Sequence, residues 1–222
     1  MARDPEISLL AWLDRHFSVA LPFGRFARNI ALLSLAGLVP TLALYIALSP
    51  GLWGHLMATD AALARFLRQI VTNGLPVVLI LNAVCLILFA QLRARRLSPA
   101  RALAIDIPAR IGAFIALHAV IYPASALMFG SFGGDPAQAL RVVAPTLAQA
   151  AGFGNLSGVY LYATLISALP LHMALVGAAA QGLGLWVPRV PVLVTVVLIL
   201  AALAIFGAQA LLLTGVAVLL AG

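Results

Sequence analysis

The sequence predicts an all-α, polytopic membrane helix bundle, and three observations carry that prediction. Of 222 residues, 64% are hydrophobic and only 9% charged, with a mean hydropathy of +1.13, whereas a soluble domain carries about a quarter charged residues. The apolar residues fall into long blocks, and a helix of roughly 20 residues crosses a hydrocarbon core of about 30 Å. Alternation of apolar and polar positions over strand-length segments, the mark of transmembrane barrels, is absent.

Five blocks have the length to span, at about 29–48, 70–92, 107–130, 156–181 and 190–214. Residues 1–27 then form a cytoplasmic N-terminal segment, and 28–222 a single transmembrane helical domain. In the N-terminal segment Asp4 can cap a helix whose first position is Pro5. Ile7, Leu10, Leu13, Phe17 and Leu21 fall near one face, which predicts an amphipathic helix resting at the headgroups or packed on the spans. The segment has neither an uninterrupted apolar core nor a clear cleavage site, so no secretory signal peptide is expected.

Between the second and third blocks, RARRLSPARALAIDIP (93–108) predicts a short helix that starts at Ser98 and Pro99 and is stopped by Pro108. Residues 137–153, interrupted by Pro145 and Gly152, make a poor span and read as an interfacial or re-entrant piece, or as a sixth span. The last block stays apolar to Gly222 and must tilt, bend near Gly207 or end at the surface.

The net charge of +7 and pI of 11.1 do not point to nucleic acid. All thirteen basic residues are Arg, most in the breaks between apolar blocks, where charge directs insertion and meets lipid headgroups. Ten fall on one side of the threaded chain: Arg3, Arg15, Arg25, Arg28, Arg93, Arg95, Arg96, Arg101, Arg110 and Arg189. Arg65, Arg68 and Arg141 fall on the other, so the positive-inside rule places the N-terminus in the cytoplasm and the C-terminus in the periplasm. The absence of Lys fits GC-rich coding, hence a bacterial inner membrane. Arg93, Arg95, Arg96 and Arg101 are candidates for contact with anionic headgroups or a partner's acidic surface, against the plainer use of orienting the chain. Cys85 is the sole cysteine, which excludes an internal disulfide.

Against this apolar background, FIALHAVIYP (114–123) raises the question of function. With its span entered at Ile107, His118 lies roughly 16 Å deep. His172 and Asn82 each stand about ten residues from the same face by the same counting, so three polar side chains are expected at one level. His118, Tyr122 and Ser125 extend a polar stripe on the third span, and Tyr160, Thr164 and His172 lie along one side of the fourth. A polar group without a partner costs several kcal/mol in hydrocarbon, so these residues should face the bundle interior.

Three uses suit such a layer: interhelical hydrogen bonds that fix packing, a binding site for a small solute, or a b-type haem held between His118 and His172. For the solute site the candidates are Asn82, His118, Tyr122, Ser125, Tyr160, Thr164 and His172. A nucleophilic role for Ser157, in NLSGVY (155–160), is not expected. His172 lies roughly 22 Å along the same helix, and His118 is placed nearer mid-membrane. No HExxH, Walker lysine or CxxC occurs, so no metalloprotease, NTPase or thiol-redox signature is present. The six acidic residues fall outside the five spans or at their edges, which argues against a lone proton- or cation-coupled pump.

Small residues spaced by four, Gly112 and Ala116, then Ala174, Ala178 and Gly182, then Ala204 and Ala208, predict close helix contacts within the chain or with another membrane subunit. The reading is therefore a noncatalytic integral inner-membrane protein. It would serve as an accessory or structural subunit, or as the membrane component for a small solute bound at mid-depth. The alternative is a haem b electron-transfer protein using His118 and His172.

Overall fold

The structure, a computed structural model, describes residues 5–173 and scattered positions between 196 and 219. Every regular element among the described residues is helical. Three helices, Phe23–Leu48, Asp60–Ala94 and Pro108–Phe129, are long and apolar enough to cross a membrane. Of the fourth expected span, 156–181, the structure describes Leu156–Ser167 as a twelve-residue apolar helix and 169–173 as helical, and residues 174–181 lie outside the described residues. The fifth lies almost wholly outside the described residues, as do Ala174, Ala178 and Gly182.

Helix α1 (Pro5–His16) buries Leu13, and Phe17 just beyond it, against Ile30, Leu86, Phe89 and Leu171. Arg93 fixes it further by donating from Nε and Nη2 to the two carboxylate oxygens of Asp14, at 2.9 and 2.7 Å. Arg93 is therefore held in an ion pair within the chain, unlike the free headgroup contact expected of it; Arg95, Arg96 and Arg101 are exposed. Both partners of the Asp14 bridge remain partly solvated, so Arg93→Ala should lower stability by only about 0.5–1 kcal/mol. Exchanging the two charges should restore the thermal midpoint in detergent, and failure of that exchange would assign the loss to packing of the Arg93 stem.

Helix α2 (Phe23–Leu48) crosses α9 (Leu156–Ser167) and packs on α5 (Leu75–Ala94). The crossing with α9 is closest at Gly37, where a methyl group would run into the carbonyl of Ala163 and the hydroxyl of Ser167. Beyond α2 come α3 (Leu52–Met57) and α4 (Asp60–Gln69). Thr59 caps α4, its hydroxyl accepting from the amide of Ala62 at 3.1 Å. One π-helical turn, Ile70–Gly74, joins α4 to α5. It widens the helix where the Tyr160 ring packs against Gly74, a contact that a side chain at Gly74 would block.

Helix α6 runs unbroken from Pro99 to Phe129, which corrects the stop expected at Pro108. Proline removes one backbone donor, and membrane helices tolerate that loss where other groups re-satisfy the chain. Here Asp106 and Arg110 form an i, i+4 ion pair at 2.7 Å that straddles the proline. Gly130 ends α6 in the left-handed conformation, and the next turn reverses the chain so that Phe132 stacks on Tyr122.

Residues 136–151 form two short helices, α7 (Pro136–Arg141) and α8 (Val143–Ala151), neither long enough to cross. Helix α8 buries Val143, Leu147, Ala150 and Ala151 against α6 and α9. Of the small-residue ladders, Gly112 and Ala116 are exposed, as are Ala204 and Ala208, and a methyl group added at Gly112 would meet nothing within 4 Å.

Apolar side chains cover the outside of the bundle as well as filling its core. Leu32, Val39, Ile80, Val84, Val120 and Leu127 are exposed, while Ser34, Thr41, Asn82, Asp106, Arg110, Thr164 and His172 are buried.

Candidate functional site

The polar side chains expected at one level divide into two clusters. The first is dry and sits where α2, α5, α6 and the chain after α9 meet. Arg110 donates from Nε to Asp106 Oδ2 at 2.7 Å and from Nη2 to Oδ1 at 3.3 Å. His172 approaches Asp106 Oδ2 through Nε2 at 2.9 Å. Arg110 Nη1 also reaches the amide oxygen of Asn82 at 3.3 Å, while Asn82 Nδ2 donates to the Ser34 hydroxyl at 2.8 Å. The five residues are at most 1% exposed. A carboxylate and a guanidinium here compensate each other in low dielectric, and each is charge-balanced only while the other is present.

Asp106 stands just outside the third candidate span, Pro108–Phe129, and is nonetheless buried, with Arg110 as its partner. Both lie on one face of α6 because four residues make slightly more than one helical turn.

The second cluster contains His118. Its Nδ1 lies 2.9 Å from the carbonyl of Phe114 and its Nε2 lies 3.2 Å from the hydroxyl of Ser157. A carbonyl only accepts, so Nδ1 carries the ring proton and, in the neutral imidazole, Nε2 is the acceptor for Ser157 Oγ–H. The sequence argument held these two residues out of reach; the structure places them in hydrogen-bond contact. The reason is helix length. With α6 starting at Pro99, Arg110 pairs with the level of Asn82 across the 95–98 turn. His118 stands two further turns along, roughly 12 Å from Arg110, beside the first turn of α9.

The short segment Asn155–Gly158 builds that position one residue at a time. Asn155 caps α9, its Oδ1 accepting from the Gly158 amide at 2.9 Å, while its Nδ2 donates to the Thr146 carbonyl at 3.0 Å and ties the cap to α8. Gly158 lets α8 approach, since a methyl group there would press on the backbone of Ala150. Tyr162 closes the hairpin by donating to the Ala151 carbonyl at 2.6 Å. Ser157, in the first turn of α9, is thereby aimed at α6. The Asn-x-x-Gly spacing was the available signal; its partner in α8 was not readable.

Ser157 and His118 line a cavity of about 560 Å³ between α6, α9 and the π-helical turn. Its walls are mainly apolar, with Val77, Leu117, Ile121, Met128 and Phe129 among them, and Gln69 and Asn73 add polar groups from the widened helix. Tyr122, Ser125 and Tyr160 from the expected solute site also line it. The Ser125 hydroxyl is engaged with that of Ser131 at 2.7 Å. The Tyr160 hydroxyl is buried and has no hydrogen-bond partner among the described residues. Asn82, Thr164 and His172 do not line this cavity; Thr164 instead turns its hydroxyl onto the Tyr160 carbonyl at 2.9 Å.

Comparison with protein families, curated proteins and solved structures returns no match. The site therefore rests on its own geometry. The two histidines direct Nε2 at different partners, Ser157 and Asp106, so joint ligation of one haem would take both rings from those contacts. Among the described residues no group of three or more metal-ligating side chains converges.

Proposed function

We propose that the protein is an integral component of a bacterial inner membrane that binds a small, largely apolar solute in the cavity between α6, α9 and the π-helical turn. The observation that carries this reading is the combination of cavity size, apolar walls and a few polar groups on them, His118, Ser157, Gln69 and Asn73. A cavity of a few hundred Å³ with that lining is the usual form of a small-molecule site. The π-helical turn at Ile70–Gly74 adds support, because such turns recur at functional sites. The exposed apolar faces around a polar interior support the membrane setting.

In this proposal the N-terminus is cytoplasmic, α1 lies along the cytoplasmic headgroups, and the last apolar block completes five crossings. The cavity then sits in the outer half of the membrane, toward the 130–135 turn. Two experiments test the proposal. Single cysteines introduced by Ser98→Cys and Ala137→Cys in a Cys85→Ala background should be, respectively, protected from and reached by an external maleimide in intact cells; the reverse pattern overturns the orientation. A photoreactive alkyl diazirine should crosslink to residues of α6 and α9 in the purified protein, and Leu117→Trp, which fills the cavity, should reduce that labelling at least about tenfold. Labelling spread evenly over the outer helix faces, unchanged by Leu117→Trp, overturns the binding site.

A further inference from the structure

The cavity wall carries more than binding groups. Ser157 Oγ stands 3.2 Å from His118 Nε2, and the ring is held by Nδ1 on the Phe114 carbonyl at 2.9 Å. A hydroxyl donating to an imidazole whose opposite nitrogen is fixed as the proton carrier is the arrangement that activates a serine. The pair lies within the range of distances for general-base catalysis, roughly 2.6–3.2 Å. Resting on the cavity reading above, we propose that Ser157 is a nucleophile and His118 its general base, acting on an ester or thioester of an apolar acyl chain.

Two further observations fit that chemistry. Ser157 lies in the first turn of α9, where the positive end of the helix dipole favours a developing negative charge. The walls at Leu117, Ile121, Met128 and Phe129 are apolar, and Met128 and Phe129 are exposed at the rim, so an acyl chain can enter from hydrocarbon. The partner of Nδ1 is a backbone carbonyl in place of a carboxylate, which stabilises the imidazolium less. That favours substrates with good leaving groups, esters and thioesters, over amides.

The steps balance with water as the only co-reactant. Ser157 Oγ attacks the acyl carbon as its proton passes to His118 Nε2. The tetrahedral intermediate collapses, the bond from acyl carbon to leaving oxygen or sulfur breaks, and His118 returns the proton to the leaving group. Water then attacks the acyl-serine with His118 again as base, releasing the carboxylic acid and regenerating the serine.

The test uses the full-length protein in mild detergent with a long-chain alkyl fluorophosphonate, and the alkyl diazirine in parallel. The fluorophosphonate should form one adduct, located on Ser157 by peptide mass spectrometry. Ser157→Ala should abolish the adduct and His118→Gln should slow its formation at least about a hundredfold. Helix content and the thermal midpoint in detergent should match the wild-type protein in both variants, showing that the fold survives. Diazirine labelling without a Ser157 adduct in the wild-type protein overturns the nucleophile and leaves the binding site intact. An adduct that forms equally fast in His118→Gln overturns the role of His118. Loss of both labels in the wild-type protein overturns cavity and chemistry together.

Discussion

Arg110→Met should destabilise the protein by about 3–5 kcal/mol, the loss expected when one member of a buried ion pair is removed and the other is left uncompensated. Arg110 is the largest fully buried side chain of the described residues and binds both carboxylate oxygens of Asp106. Without it Asp106 retains His172 as its one side-chain hydrogen-bond partner, in a setting that excludes water. The double variant Asp106→Asn, Arg110→Met removes the net charge from the interior and should recover about half of the loss, since apolar or neutral replacements of a whole buried pair are far better tolerated than removal of one member. Thermal unfolding midpoints in a single detergent check this directly. A small loss in the single variant would mean that water or another group reaches Asp106 despite its burial.

The second large effect is expected at Gly37. Gly37→Ala should cost about 1–3 kcal/mol, because the added methyl group meets the carbonyl of Ala163 and the hydroxyl of Ser167 and the α2–α9 crossing must open to admit it. Gly112→Ala makes the informative control. It has the same chemistry in a helix interior but open space around it, so it should be neutral or stabilise by up to about 1 kcal/mol through helix propensity. Comparable losses at both positions would show that Gly112 packs against a second subunit or against the residues after 173, and that the crossing at Gly37 is not the tighter contact.

These two cases show what the residues disclosed and what they concealed. The Ser98–Pro99 start of α6 was legible because a capping residue followed by proline is a local signal. Local chemistry also misled: Pro108 reads as a stop, yet the helix continues through it, clasped by side chains one turn apart. The third candidate span still begins at Pro108, but heights counted from it do not carry over to α5: Arg110, and not His118, meets Asn82. The correct signal was present in Asp106 and Arg110, whose i, i+4 spacing brackets the proline, but spacing alone does not say that the pair is buried.

The solute residues divide in the same way. Periodicity put His118, Tyr122 and Ser125 on one face of α6, and all three line the cavity. Periodicity also put Tyr160, Thr164 and His172 together, but only Tyr160 joins them. Its neighbours turn instead to the Tyr160 carbonyl and to Asp106. Ser157 could be placed against His118 only once the α8–α9 hairpin was known, because the hairpin sets the height at which α9 begins.

Composition and block length by themselves determined that the chain is helical and that its long helices are apolar enough for a membrane, since these depend on backbone hydrogen bonding and average polarity. Which polar groups meet was decided by tertiary structure alone. In a bundle each contact depends on where two helices start relative to one another, and a two-turn shift of α6 exchanges one partner set for another. Arg110 meeting Asn82 and Asp106 meeting His172 at one height, and His118 meeting Ser157 at another, follow from that relative placement; the i, i+4 pair of Asp106 and Arg110 alone is local.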